Sequence, residues 1–258
     1  MRSKALLVLD FDGVICDSVD ECFASSWTAY HQLHLGEPAG APDQSVRDAF
    51  AALRPYVRSG EDFVLIQEII TRGETVSSQA SFDETARRGG NAARARYRDL
   101  FYQARADFLH RDRAGWLALN RVYPHVARAF ARLPSSVPLY ILSTKKPAFI
   151  AEILAAQSIT VDSEHIIWSD AEPKLATVER LRVAWGSAAS PGGSPGTRAL
   201  FVEDQVDAIQ RNTNPLVRVF LATWGYVQKE WLAPHGPVPL LSPDGFLELL
   251  EAEFGLRD

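Results

Sequence analysis

The sequence predicts an α/β protein in which helices cover a parallel sheet and an all-helical segment follows the first strand. From residue 123 onward, short apolar runs alternate with segments of helical periodicity, which is typical of parallel strands joined by right-handed crossovers. Between residues 17 and 120, no run has the length and pattern of a strand. At 258 residues, 47% hydrophobic and 23% charged, the chain can form one globular core with a smaller inserted domain.

The first predicted strand, Ala5 to Leu9, is apolar throughout, as expected of a central strand buried on both faces of a sheet. It ends at Asp10, and a second acid, Asp12, precedes Gly13. Carboxylates are expensive to desolvate, but at the carboxyl end of such a strand they line the crevice where α/β sheets bind ligands. An isolated pair of acids is also typical of a polar turn, so its interpretation depends on the rest of the chain.

Residues 17–121 are predicted to form a helical domain, because apolar residues recur there at helical spacing. Gly89 and Gly90 interrupt the periodicity, and residues 54–62 (RPYVRSGED) form a turn-rich connection. This domain is rich in arginine, which favours a solvated helix face over the steering of an anionic ligand. The arginines are Arg87, Arg88, Arg94, Arg96, Arg98, Arg105, Arg111 and Arg113.

A second apolar run, VPLYIL at 137–142, ends in Ser143, Thr144 and Lys145. Pro147 then opens a predicted helix. Hydroxyl groups and backbone N–H groups at a helix amino terminus favour a bound phosphate. An ordinary helix cap is the alternative interpretation, because Ser and Thr are common there.

Two further strand ends carry charged residues. Lys174 opens a helix after the predicted strand 165–168, where its charge opposes the helix dipole. Arg198 to Val202 is predicted to be another buried strand, and it is followed by Glu203, Asp204 and Asp207. Residues 186–197 are predicted to be a flexible loop, 217–222 a further strand and 246–254 a closing helix.

Composition excludes several classes of function. The net charge of −5 gives no general reason to expect nucleic-acid binding. Cys16 and Cys22 are predicted to be free thiols in a reducing compartment. The first apolar run is broken by Asp10, so it does not resemble a signal peptide, and no run approaches the length of a membrane span. We therefore expect a cytoplasmic monomer or homodimer that contacts neither membrane nor nucleic acid.

The ends of parallel strands lie at the same edge of a sheet, so the polar groups at 10–12, 143–145, 174 and 203–207 are expected to converge. Converging carboxylates suit Mg²⁺, which prefers oxygen ligands. A metal, a lysine and a hydroxyl together would neutralise a phosphoryl group. A carboxylate held beside them can attack phosphorus, and a second can move the proton.

With these motifs in order, the chain resembles the haloacid dehalogenase superfamily, in the phosphoglycolate phosphatase-like subgroup that carries an inserted helical cap. The first motif is matched by Asp10-Phe11-Asp12-Gly13-Val14, the second by Ser143 or Thr144, the third by Lys174 and the fourth by FVED. The resemblance covers the whole chain. It implies a Rossmann-like, doubly wound core at 1–16 and 122–258 and a cap at 17–121.

The resemblance also implies roles for the matched residues. Asp10 would be the nucleophile, Asp12 the general acid/base, Ser143 the phosphoryl contact and Lys174 the balancing charge. Asp10, the backbone carbonyl of Asp12 and Asp204 would hold Mg²⁺. The fourth motif departs from the commonest pattern, because Glu203 precedes Asp204 and Asp207 follows three residues later. Glu203 and Asp207 therefore stay open as alternative ligands, and Lys145 as a second phosphate contact.

The resulting hypothesis is a Mg²⁺-dependent phosphatase acting on a small phosphorylated metabolite through an aspartyl-phosphate. The cap would close over the site and exclude water. Arg54, Tyr56 and Arg58 are candidate substrate contacts, although a plain surface loop is the simpler interpretation. Two alternatives remain: a phosphomutase or other phosphotransferase on the same fold, and a non-catalytic protein that binds phosphate or Mg²⁺.

Overall fold

A computed structural model describes residues 5–34, 36, 40–169, 172–189, 196–233, 236 and 238–257. The chain divides into two compact units. The first comprises Met1–Asp17 and Val122–Asp258, and the second comprises Ser18–Arg121. The apolar strands of the large sheet all lie in the first unit.

The first unit contains a sheet of six parallel strands within the described residues. The strands in the described part of the chain are β1 (Ala5–Leu9), β2 (Cys16–Asp17), β3 (Arg121–Val122), β4 (Leu139–Ser143), β5 (Ile166–Trp168), β6 (Arg198–Glu203), β7 (Val217–Ala222) and β8 (Leu240–Leu241). The order in the large sheet is β5-β4-β1-β6-β7-β8, and β2 pairs with β3 separately.

Strand β1 occupies the centre of the sheet. All five of its residues are buried, and it pairs with β4 on one side and β6 on the other. The chain builds outward from β1 to β5 and then crosses back to begin β6, so the strand order reverses at β1. Ligands of open α/β sheets bind at the carboxyl ends of the strands where the order reverses, and Asp10 follows β1 at that point.

Helices flank the sheet and form the second unit. They are α1 (Val19–His34), α2 (Gln44–Leu53), α3 (Gly60–Arg72), α4 (Gln79–Arg111), α5 (Arg113–Ala118), α6 (Pro124–Arg132), α7 (Pro147–Ala156), α8 (Lys174–Ala189), α9 (Val206–Ile209) and α10 (Pro243–Phe254). Leu6, Val8 and Phe201 form part of an apolar core with the helix residues Val178 and Ile209. None of the described helices combines the length and apolarity needed to cross a lipid bilayer.

The second unit is helical, as predicted. Its core is built from aromatic contacts, in which the rings of Phe50 and Phe101 both stack on Phe63. A capping box between Ser59 and Asp62 starts α3. Gly90 adopts φ 75° inside α4, so the helix is kinked at the predicted break.

The predicted solvated face of arginines is wrong at Arg105. Its side chain is 3% exposed, and Nε and Nη2 donate to both carboxylate oxygens of Glu21 at 2.9 and 2.7 Å. The side chain also lies over the ring of Phe101. Helical spacing alone does not separate a buried arginine with a bidentate partner from its exposed neighbours, because the partner lies 84 positions away.

Several boundaries differ from the sequence prediction. Helix α8 continues to Ala189, so the predicted loop begins later than residue 186, and its residues 190–195 lie outside the described part of the chain. The first turns of α4, helix α5 and the short edge strand β8 were not predicted. Helix prediction rests on large apolar residues at helical spacing. Ala and Gly in α5 and α8 make this pattern weaker.

Candidate active site

The first acidic pair lies where β1 ends, and its two members have different surroundings. Asp10 is 5% exposed, and its backbone N–H donates to the carbonyl of Val202 at 3.0 Å. Asp12 is half-buried in the turn that follows. Gly13 completes that turn with φ 89°, and a Cβ there would lie 1.9 Å from Oδ2 of Asp204. Glycine is therefore required both for the backbone conformation and for the close approach of Asp204.

Three carboxyl groups meet at this edge of the sheet. Asp10, Glu203 and Asp204 are all buried, and one oxygen from each lies within 4.8 Å of the others. The positions arise because β6 pairs directly with β1 in parallel. Asp207 is exposed on α9 and does not belong to this cluster, so the structure gives it no support as a metal ligand.

Lys174 joins two of the three acids. Its Nζ lies 2.9 Å from Oδ1 of Asp10 and 2.7 Å from Oε2 of Glu203. The other oxygen of Glu203 accepts the backbone N–H groups of Asp204 and Gln205, both at 3.1 Å. Glu203 is thus fixed on both sides, which orients Lys174 toward Asp10.

The end of β4 supplies a hydroxyl and a second amine. Ser143 is 2% exposed and its Oγ accepts the backbone N–H of Lys145 at 3.2 Å, whereas Thr144 is half-buried. Lys145 has a side chain that is 1% exposed, and its Nζ donates to Oδ1 of Asp12 at 2.8 Å. Each acid of the first pair therefore has its own lysine.

Burial and neighbouring charges shift the pKa values of Asp10, Glu203 and Lys174. Burial raises the pKa of Asp10 to about 7, with a further contribution from the charge of Glu203 and an opposing one from Lys174. Burial also raises the pKa of the Glu203 carboxyl. Burial by itself would lower the pKa of Lys174, but the charges of Asp10 and Glu203 outweigh it, so the amine stays protonated.

The loop after β7 contributes residues that the sequence analysis did not identify as part of the site. The backbone N–H of Tyr226 donates to Oδ2 of Asp204 at 2.8 Å, and its hydroxyl donates to Oδ1 of Asp17 at 2.8 Å. Trp224 donates from Nε1 to the carbonyl of Val14 at 3.0 Å. The loop sequence TWGY, directly after an apolar strand, was the available signal, but its aromatic residues are also typical of core packing.

Gly225 allows this loop to approach Asp204. A Cβ at residue 225 would lie 2.5 Å from both the Cβ of Asp204 and the carbonyl oxygen of Gly13. We expect Gly225→Ala to displace Asp204, to lower the free energy of unfolding by about 1–3 kcal/mol and to weaken metal binding. Chemical denaturation and calorimetric titration with Mg²⁺ measure the two effects. Gly40→Ala is the matched control, because a Cβ at residue 40 meets no atom within 4 Å.

The residues fit a divalent cation. Asp10, Asp12, Glu203 and Asp204 with Lys145 and Lys174 carry a formal net charge of −2 when all six are ionised. Three buried oxygen donors close together suit a hard ion such as Mg²⁺. Such an ion would oppose the effects of burial and of the Glu203 charge, which raise the pKa of Asp10, because a bound cation favours ionised carboxylates.

Arg54 is buried in the second unit, where its guanidinium lies 5.2 Å from the ring centroid of Phe63. Through this contact Arg54 packs against the apolar core of the second unit. Its predicted role as a substrate contact stays a prediction.

Solved structures share this fold across nearly the whole chain. A provisionally named phosphoglycolate phosphatase from Lactobacillus delbrueckii subsp. bulgaricus has a TM-score of 0.63 at 17% identity, covering 99% of this chain and 100% of that one. A haloacid dehalogenase-like hydrolase from Streptococcus pneumoniae has a TM-score of 0.52 at 17% identity, covering 95% and 97%. Protein tyrosine kinase A from Mycobacterium tuberculosis has a TM-score of 0.51 at 16% identity, covering 96% and 98%. No protein-family model and no curated protein matches the sequence.

The chain has the fold of the haloacid dehalogenase-like hydrolases, with a Rossmann-like parallel sheet and a helical insertion after the first strand. The predicted fold class is confirmed, and so is the predicted resemblance at the level of the fold. Because the same fold occurs in proteins named as phosphatases and as a kinase, the reaction has to be argued from the site.

Proposed function

We propose that this protein is a phosphoric monoester hydrolase that acts on a small phosphorylated metabolite. The observation that carries the proposal is the placement of Asp10: a buried carboxyl at the central strand end, with Lys174 at 2.9 Å and two further carboxyl groups beside it. A carboxylate beside a fixed amine and a set of donors for a divalent cation is suited to attack a phosphoryl group, because positive charge compensates the oxygens of the transition state.

In the first step, a carboxylate oxygen of Asp10 attacks phosphorus and the bond from phosphorus to the leaving oxygen breaks. This produces an aspartyl-phosphate on Asp10 and an alkoxide or aryloxide, which takes a proton from Asp12. Asp12 is suited to this role because it is more exposed than Asp10 and its carboxylate is oriented by the amine of Lys145.

In the second step, Asp12 takes a proton from water as the water oxygen attacks phosphorus. The bond from phosphorus to the Asp10 oxygen breaks, and inorganic phosphate and free Asp10 are released. Ser143 at the end of β4 supplies a hydroxyl for the phosphoryl oxygens, and Lys174 supplies fixed positive charge. Thr144 is more exposed than Ser143 and is the less suitable contact.

Mg²⁺ fits the donor set as a cofactor. Asp10, Asp204 and Glu203 would hold it through side-chain oxygens, and the backbone carbonyl of Asp12 is a further candidate ligand. When bound, the ion supplies Lewis-acid charge that neutralises phosphoryl oxygens. Asp204 is held for this role by the backbone N–H of Tyr226.

Two structural neighbours support hydrolysis by their names, a phosphoglycolate phosphatase and a hydrolase of the haloacid dehalogenase-like family. The neighbour named as a tyrosine kinase favours the second candidate, transfer of the phosphoryl group to an acceptor other than water. Both reactions share the first step, and they differ in whether water or another acceptor then takes the phosphoryl group from Asp10.

The deciding experiment measures phosphate release from a panel of phosphorylated metabolites with Mg²⁺ and with EDTA. We expect release from at least one ester with Mg²⁺ and its loss in EDTA, because without the ion the acidic cluster lacks the positive charge that would neutralise the phosphoryl oxygens. Calorimetric titration with Mg²⁺ gives a second readout that does not depend on turnover.

The alternatives give different outcomes in the same experiment. Consumption of an ester without free phosphate, and with a new phosphoester in its place, would indicate a phosphotransferase. Binding of Mg²⁺ and phosphate without consumption of any ester would indicate a non-catalytic protein. Undiminished phosphate release in EDTA would contradict the role of the metal.

A further inference from the structure

Trp168 is exposed beside the candidate active site. It ends β5, and 45% of its surface is accessible to solvent. Every other Phe, Trp or Tyr in the described part of the chain is buried or half-buried. An exposed aromatic side chain does not contribute the free energy that its burial would give. The stability of the fold therefore does not explain why a tryptophan occupies this position.

The indole is held at a fixed place relative to Ser143. Strand β5 pairs with β4 so that Trp168 lies opposite Ser143, which separates their backbones by about 4.8 Å. The backbone N–H of Ser169 donates to the carbonyl of Ser143 at 2.8 Å, and the indole Nε1 donates to the carbonyl of Thr144 at 3.2 Å. The polar group of the indole is thus bonded within the protein, and the remaining ring atoms are carbon.

We propose that Trp168 stacks on an aromatic ring in the leaving group of the substrate, so that the substrates of this site are aryl or nucleotide-like phosphoesters. This inference rests on the proposed phosphatase function. A phosphoryl group held at Ser143 places its ester substituent within reach of the neighbouring strand end, where the indole lies. Planar rings gain from offset stacking on an indole, whereas a saturated substituent of equal size gains only apolar contact.

The hydrogen bond to Thr144 makes the indole a preorganised surface. A side chain that is already oriented loses little conformational freedom when the ligand binds. The same hydrogen bond connects the indole to the segment that carries Ser143 and Lys145. The ring and the proposed phosphoryl contacts are therefore positioned together. Trp168 is therefore a specificity residue and takes no part in bond breaking.

The test compares phenyl phosphate with cyclohexyl phosphate, which match in size and differ in planarity. We expect Trp168→Leu to raise KM for phenyl phosphate about 5- to 150-fold, the range that corresponds to loss of one stacking contact. Its kcat should change little, because stacking stabilises the bound substrate and the transition state alike. Trp168→Phe should restore most of the affinity, and KM for cyclohexyl phosphate should change less than about threefold in both variants.

Val183→Ala is the control for loss of an exposed apolar side chain, since Val183 is 49% exposed on α8. It should leave both substrates unaffected. Equal changes of KM for both substrates in Trp168→Leu, or no change for either, would overturn the proposal and would favour a structural role or a protein-docking role for the indole.

A binding measurement separates this proposal from the proposed function. Calorimetry with phenylphosphonate and cyclohexylphosphonate requires no turnover. Weaker binding of phenylphosphonate alone in Trp168→Leu supports stacking even if no ester is hydrolysed. Failure of the wild-type protein to prefer phenylphosphonate overturns the stacking proposal even if alkyl phosphates are hydrolysed.

Discussion

Substitution Asp10→Asn is expected to reduce phosphate release at least about 10³-fold. The amide has nearly the shape of the carboxyl group but is not a nucleophile, so the aspartyl-phosphate cannot form. We expect the metal-free variant to be at least as stable as the wild type, because burial disfavours the ionised carboxyl and raises its pKa to about 7. Steady-state kinetics measures the first effect and chemical denaturation in EDTA the second.

The matched control is Asp99→Asn, the same change of charge at a side chain that is 80% exposed. It should leave activity and stability unaffected. Mass spectrometry of the wild type mixed with substrate should detect one added phosphoryl group, and the Asp10→Asn variant should lack it. Full activity of the variant would contradict the mechanism, whereas loss of folding would show only that Asp10 is structural.

Substitution Lys174→Met is expected to lower the free energy of unfolding of the metal-free protein by about 3–5 kcal/mol, the usual effect of removing one partner of a buried ion pair. The side chain of Lys174 is 14% exposed and contacts both Asp10 and Glu203, which are themselves buried. Removing the amine leaves three buried carboxyl groups within 4.8 Å of one another. Activity should fall by about 10²- to 10³-fold, because fixed positive charge beside the nucleophile is lost.

Mg²⁺ provides the informative comparison for this variant. We expect saturating Mg²⁺ to recover more stability in Lys174→Met than in the wild type, because the ion compensates the same carboxyl groups. Lys229→Met, at an exposed lysine outside the cluster, should show neither effect. If Lys174→Met were as stable as the wild type in EDTA, Lys174 would not be the charge that compensates Asp10.

Much of the fold could be predicted from the sequence because its signals are local. The apolar run of β1 and its abrupt end at Asp10 predicted a central strand with a polar carboxyl end, and the structure shows β1 between β4 and β6. The alternation of strands and helices after residue 123 predicted parallel pairing. The edge strand β8 was not predicted, because two residues give no periodicity.

The candidate site was predictable in its residue types and less so in its pairings. Sequence order indicated that Asp10, Ser143, Lys174 and Asp204 belong to one edge of a sheet, since parallel strands end together. It did not indicate that Lys145 bonds to Asp12 across 133 positions. It also could not choose among Glu203, Asp204 and Asp207.

Burial in the tertiary structure separates Asp207 from the other two acids, because Glu203 and Asp204 are both buried. Glu203 ends β6 and turns inward with both oxygens bonded, Asp204 follows beneath Gly13 and Gly225, and Asp207 is exposed on α9. These differences depend on how closely a distant loop approaches, which is a property of packed atoms in three dimensions. Local sequence patterns were sufficient to predict the architecture, the acidic end of β1 and the residue types of the candidate site. Three features depend on the packing of strands that are distant in the chain: the pairing of each acid with its lysine, the glycine contacts around Asp204 and the exposed indole of Trp168. The sequence did not predict them, because local periodicity encodes neither side-chain burial nor contact distance.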